Sequence, residues 1–112
     1  MNAPIRPDNK PLSEQWYAAA SRHVALQAAA EMLEEGKSAF LSQKMAGLGD
    51  MAVSKAELTI KASAEWADYI KKMVRAREQA NLAKIEAEFM RMKFSEYMSW
   101  DANARTEARM TK

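Results

Sequence analysis

Apolar residues recur along this chain in steps of three and four, the period of a helix, and no stretch alternates as a strand would. From Trp66 the steps run through Tyr69, Met73, Ala76, Ala80, Ala83, Ala87, Met90, Phe94 and Tyr97, a heptad-like seam held over four repeats. A matching seam lies upstream at Leu12, Trp16, Ala19, His23, Leu26, Ala30 and Leu33. The four central alanines of the longer seam let two helix backbones approach closely, and the aromatic ends fill wider space where helices diverge. A second stripe, Leu82, Ile85, Phe89 and Met92, follows the same steps well around the helix from the alanines. Residues 82–98 are therefore apolar on two faces, and a single preceding helix covers only one of them.

Helix breakers confine the boundaries. Proline ends at Pro11, and glycine occurs only at Gly36, Gly47 and Gly49. The expected elements are a flexible proline-containing arm over 1–12 and a single helical-hairpin domain over 13–112. Its helices are expected at about 13–35, 38–46, 54–62 and 64–108, with the chain reversing at GLGD near residue 50. Ser13 is placed as an N-cap, with Leu12 and Tyr17 spaced as a hydrophobic staple. In VSKAEL, Ser54 and Glu57 are spaced as a capping box, with Val53 able to pack on Leu58. Ser63 is a further cap candidate, and the sequence leaves open whether 54–62 and 64–108 are one helix or two. An unbroken 64–108 is about 68 Å long at 1.5 Å per residue. A compact domain of this size has a radius of gyration of only about 13–14 Å. The reading is an all-α, long helical hairpin with a coiled-coil-like C-terminal helix, assembled into an oligomeric bundle.

Composition narrows the chemistry. The 112 residues include no cysteine, which removes disulfides, thiolate nucleophiles and cysteine-ligated zinc and points to a reducing, cytoplasmic setting. No apolar run approaches the roughly 20 residues of a membrane span, and the N-terminal stretch has neither a signal-peptide core nor an anchor. No membrane association is expected. The net charge is +2, from 17 basic and 15 acidic residues, too balanced for a dedicated nucleic-acid coat. The second half is mildly basic, with 12 basic and 9 acidic side chains in 51–112 against 5 and 6 in 1–50.

Candidate chemistry is sparse. His23 lies mid-seam, where a packing role outweighs a metal ligand or pH switch, because one histidine and no cysteine give no ligand cluster. Ser13, Ser54 and Ser63 read as caps, and no phosphate loop or nucleophile elbow is present. Glu86 and Glu88 lack the Glu-x-x-His pattern of a di-metal helix. Lys84 with Glu88, Asp68 with Lys72, and Asp101 with Arg105 are spaced as i to i+4 ion pairs on solvated faces. The nine methionines read as adaptable core filler, and Tyr97 and Trp100 as end-packing. No catalytic residue, metal or cofactor is expected. The run KKMVRAR gathers Lys71, Lys72, Arg75 and Arg77, either a patch that contacts nucleic-acid phosphates or a solvated face that Asp68 and Glu78 partly neutralise.

The stretch VSKAELTIKASAEWADYIKKMVRAREQANLAKIEAEFMRMKFSEYMSWDANARTEARM resembles small helical proteins encoded by bacteriophages and prophages of proteobacteria. The resemblance covers about half the chain, 53–110, and WYAAASRHVALQAAAEMLEEGKSAFL before it is loosely similar. Where that pattern has room for proline after the serine before EW, this chain carries Ala64. Such proteins are often encoded near phage single-strand annealing proteins, exonucleases or single-strand DNA-binding proteins. The resemblance therefore implies an accessory role in DNA metabolism or recombination within the host-cell cytoplasm, with a phage or host DNA-metabolism protein as partner, and it assigns no binding residue. The leading expectation is a non-enzymatic, self-associating scaffold or adaptor, a homo-oligomer whose interface is Leu82, Ile85, Phe89 and Met92. Two alternatives stand beside it: a non-sequence-specific nucleic-acid binder acting through Lys71, Lys72, Arg75 and Arg77, and an inhibitor docking on a host defence or repair enzyme.

Overall fold

A computed structural model describes residues 10–110. Among them there are four helices and no strand: α1 (Leu12–Glu35), α2 (Lys37–Ala46), α3 (Val53–Lys61) and α4 (Ala64–Met110). The fold is an all-α helical hairpin whose last helix runs 47 residues. Two compact units divide it, one made of residues 10–23 with 82–110 and the other of Val24–Asn81. The expected arm over 1–12 falls mostly outside the described residues, and Leu12 already belongs to α1.

Both N-terminal caps differ from the sequence expectation. At α1 the Pro11 carbonyl accepts from the amides of Glu14 and Gln15 (3.0 and 3.1 Å), so the helix starts one residue before Ser13. The Gln15 side-chain amide donates to the Lys10 carbonyl at 2.7 Å, tying the first turn to the residue before Pro11. Tyr17 is 75% exposed, so no staple forms with Leu12. At α3 the helix starts at Val53 behind Ala52, which has extended backbone and makes no side-chain cap. Ser54 thus lies inside the first turn, and Glu57 accepts from Lys61 at 2.8 Å instead of reaching back. Leu58, expected under Val53, is exposed. The buried side of α3 is Ala56 and Ile60, one turn apart.

The third cap is made. The Ser63 hydroxyl accepts from the Trp66 amide at 3.2 Å and donates to the Ile60 carbonyl at 2.6 Å, which ends α3 and starts α4. The chain breaks at Ser63 even though Ala64 follows it.

In the first unit, the opening turns of α1 run antiparallel to the second half of α4. Trp16 lies 5.6 Å from Phe94 between ring centroids, and Leu12 shares a hollow with Phe94 and Tyr97. Ala19, Ala83 and Ala87 are buried between the two backbones. Here the absence of side-chain bulk lets the helices close on one another. Trp100, expected as end-packing, is 68% exposed, and Tyr97 keeps half of its surface in solvent.

In the second unit, helical hydrogen bonding continues from α1 into α2 through Gly36, whose amide donates to Met32 and whose carbonyl accepts from Phe40. The turn after α2 depends on Gly49, at φ +76, a conformation that glycine adopts without steric cost. The core of this unit is Ala30, Ala56, Ile60 and Ala80, roofed by an aromatic stack in which Phe40 lies 4.5 Å from Tyr69. Trp66 extends the stack, with its ring parallel to that of Tyr69.

Candidate functional site

The second half of α4 carries a row of exposed large apolar side chains. At about 100° per residue, Leu82, Ile85, Phe89 and Met92 lie roughly 160° around the helix from the alanine seam. Ala80 and Ala83 are each 1% exposed, whereas all four stripe residues keep more than half of their surface in solvent. The seam residues and the stripe residues alternate along the same turns, so one helix carries a covered face and an open one. Glu86 and Glu88 border the open face, and Lys93 extends its ammonium to 5.5 Å from the Phe89 ring centroid. Met92 also lines a shallow hollow with Ser95 and Ser99, and with Trp100 about two turns further on. Contiguous exposed apolar surface of this kind marks an interaction face more often than a monomer's ordinary surface.

The other seam residues expected at the helix–helix contact are half-buried: Trp66, Tyr69, Met73 and Ala76 in the second unit, Met90 and Phe94 in the first. His23 is half-buried on α1 between Ala19 and Leu26. Among the described residues, no group of three or more His, Asp or Glu side chains converges as a metal site would require. No helix among them is long and apolar enough to cross a membrane.

The basic run does not form one patch. Arg77 turns toward α1 and makes a paired ion bridge with Glu34, Nε to Oε2 at 2.8 Å and Nη2 to Oε1 at 2.7 Å. The hydrogen bonds from Arg77 hold the Glu34 carboxyl below the usual carboxylate range, and those same bonds hold the guanidinium above its own already high value. That leaves Lys71, Lys72 and Arg75 exposed, with Lys71 and Arg75 sharing a shallow depression with Ile70, Val74 and Glu78. Glu78 places a negative charge inside this remaining basic surface. Of the ion pairs expected along α4, Asp101 meets Arg105 at 3.2 Å, while Lys84 with Glu88 and Asp68 with Lys72 form no bridge among the described residues.

Two contacts escaped the sequence reading. The Tyr69 hydroxyl donates to the Leu33 carbonyl at 2.6 Å, capping one of the free carbonyls at the end of α1. Lys44 bridges Glu65 at 2.8 Å and lies over the Phe40 ring. The Tyr69–Leu33 bond and the Glu34–Arg77 bridge set the end of α1 beside residues 69–77, whereas Lys44 reaches Glu65 from α2. Laying one seam against the other is the signal that would have found that bond and that bridge. Compared with protein-family models, curated proteins and solved structures, the chain has no match.

Proposed function

We propose that this chain is a non-enzymatic, self-associating helical scaffold or adaptor, and that it serves as a phage accessory protein in DNA metabolism. One observation carries the first part: Leu82, Ile85, Phe89 and Met92 stay more than half exposed after the opposite face of α4 has been covered. Water around such a stripe is released when a second apolar face meets it, and this release is the main favourable term in association. The second part follows from the resemblance of residues 53–110 to small phage-encoded helical proteins, and a cytoplasmic setting goes with it.

Sedimentation equilibrium at tens of micromolar tests the reading. An oligomer is expected, and Ile85→Asp or Phe89→Asp is expected to return it to monomer. Either substitution buries an uncompensated carboxylate in the interface yet leaves it solvated in the monomer, so helicity by circular dichroism should survive. A wild-type monomer up to several hundred micromolar would sink the proposal.

A further inference from the structure

We infer that the α4 stripe takes a second copy of this chain in a parallel, in-register, two-stranded pairing, fixed by ion pairs between Glu88 of one copy and Lys93 of the other. This inference rests on the self-association proposed above and adds the occupant, its direction and its stoichiometry.

The stripe residues are separated by three, four and three positions, so Leu82 and Phe89 take the a positions of a heptad and Ile85 and Met92 the d positions. Glu88 then falls at g, and Glu86 and Lys93 at e. A parallel pair brings g of one helix beside the following e of the other, five residues on, which is the spacing from Glu88 to Lys93. Both side chains are exposed and neither is in an ion pair within the chain among the described residues. Lys93 already leans along the stripe, over the Phe89 ring. Twofold symmetry forms the pair twice.

The antiparallel alternative meets the opposite electrostatics. Matching all four layers sets Leu82 against Met92 and Ile85 against Phe89, with residue 87 at the centre. In that arrangement e faces e and g faces g, so Glu86 opposes Glu86 and Glu88 opposes Glu88. Two repulsive contacts replace two attractive ones.

The number of strands follows from the width of the apolar face. Leu at a with Ile at d by itself leans toward four strands, in which e and g positions are also covered. Here those positions are Glu86, Glu88 and Lys93, and the opposite face of α4 already holds α1 over the buried Ala83 and Ala87. Two strands leave these charges at the solvated rim. Four side chains of this size, more than half exposed, offer on the order of 400 Å² per copy, about 800 Å² in total, below the roughly 1,200 Å² at which standard specific interfaces begin and in the range of weak, transient pairs. The dimer is therefore concentration-dependent, in the micromolar range or weaker.

The cysteine-free chain allows a direct test of direction. In the parallel pairing, position 92 faces itself; in the antiparallel one it faces position 82, and the two positions 92 lie about 15 Å apart along the axis. With oxidised glutathione, Met92→Cys is expected to cross-link to itself, since a disulfide needs closely apposed thiols. If an equimolar mixture of Leu82→Cys and Met92→Cys gives mainly the mixed disulfide, the parallel assignment is wrong. Charge reversal gives an independent readout by sedimentation equilibrium at low salt. Glu88→Lys and Lys93→Glu should each raise the dissociation constant about five- to tenfold, and mixing the two variants should restore wild-type affinity. Tighter association of Glu88→Gln would overturn the proposal, since neutralising Glu88 relieves the Glu88–Glu88 contact of the antiparallel pairing but removes the Glu88–Lys93 pair of the parallel one, and a tetrameric mass would overturn the two-stranded assignment. A wild-type monomer at all concentrations removes the self-association reading itself, whereas an oligomer with the antiparallel pattern removes only this inference.

Discussion

At the residue scale, Gly36 and Tyr69 form a coupled pair. A Cβ added at Gly36 would lie 3.1 Å from both the Met32 carbonyl oxygen and the Tyr69 hydroxyl, the latter held on the Leu33 carbonyl at 2.6 Å. Glycine in αR backbone gives up roughly 1 kcal/mol of helix propensity relative to alanine, so the local preference favours Gly36→Ala and the hydroxyl opposes it. We expect Gly36→Ala to be neutral or mildly destabilising in the wild type, Tyr69→Phe to cost about 1 kcal/mol through the unpaired carbonyl, and Gly36→Ala to be better tolerated by about 0.5–1 kcal/mol in the Tyr69→Phe background, where only the Met32 carbonyl still crowds the added methyl. Additive melting shifts across that double-mutant cycle would show the two residues to be independent. The Glu34–Arg77 bridge makes a pH prediction of definite sign. The folded-state Glu34 carboxyl is held below its ordinary value, so its contribution is present above the ordinary glutamate range and is lost as pH falls through the lowered folded value. Thermal melts of the wild type and Glu34→Gln should therefore differ near neutrality and converge in acid; a constant difference across that range would assign the effect to packing.

At the element scale, the alanine seam sets how closely α1 and α4 approach. Ala80, at 1% exposure in the second unit, and Ala83, at 1% in the first, have no room for added methylenes. Leucine matches alanine closely in helix propensity, so any cost of Ala80→Leu or Ala83→Leu is tertiary, and we expect about 1–3 kcal/mol for each. Unchanged melting temperatures would place those side chains in solvent. The helices and their shared face were legible because alanine at 76, 80, 83 and 87 marks close approach and no glycine or proline follows Gly49. The helix starts at 12 and 53 were not legible, because no serine cap is used at either: α3 opens behind Ala52 with no side-chain cap bond, and at α1 the Glu14 and Gln15 amides donate to the Pro11 carbonyl while the Gln15 side chain donates to that of Lys10. The break at Ser63 needed the two bonds of its hydroxyl to decide it. The open stripe at 82–92 was legible as a second period on one helix, whereas the fate of Arg77 was not, since its partner Glu34 lies 43 residues away in the chain.

At the scale of the whole molecule, the question is whether the chain's basic side chains make it a nucleic-acid binder as well as a scaffold. A near-balanced net charge of +2 gives little long-range attraction for phosphate, so any affinity has to come from local clustering. Arg77 is committed to Glu34, and Glu78 sits among the remaining Lys71, Lys72 and Arg75. We therefore expect single-stranded and duplex DNA to bind no tighter than roughly millimolar at physiological salt, weaker than ordinary non-specific binders. Replacing Lys71, Lys72 and Arg75 together by glutamine should leave folding and oligomeric mass unchanged. Adding Arg77→Gln to that variant should lower its melting temperature, because, of these four cations, Arg77 is the one held in an ion pair among the described residues. Fluorescence anisotropy over a salt series is the decisive measurement. Micromolar binding whose salt slope falls by about one unit for each of the three exposed cations removed would place nucleic acid first among the ligands of this chain. If removing Arg77 alone abolished that binding, the bridge to Glu34 would have to open on contact with phosphate, and the low-pH loss of that bridge would then strengthen DNA binding instead of leaving it unchanged.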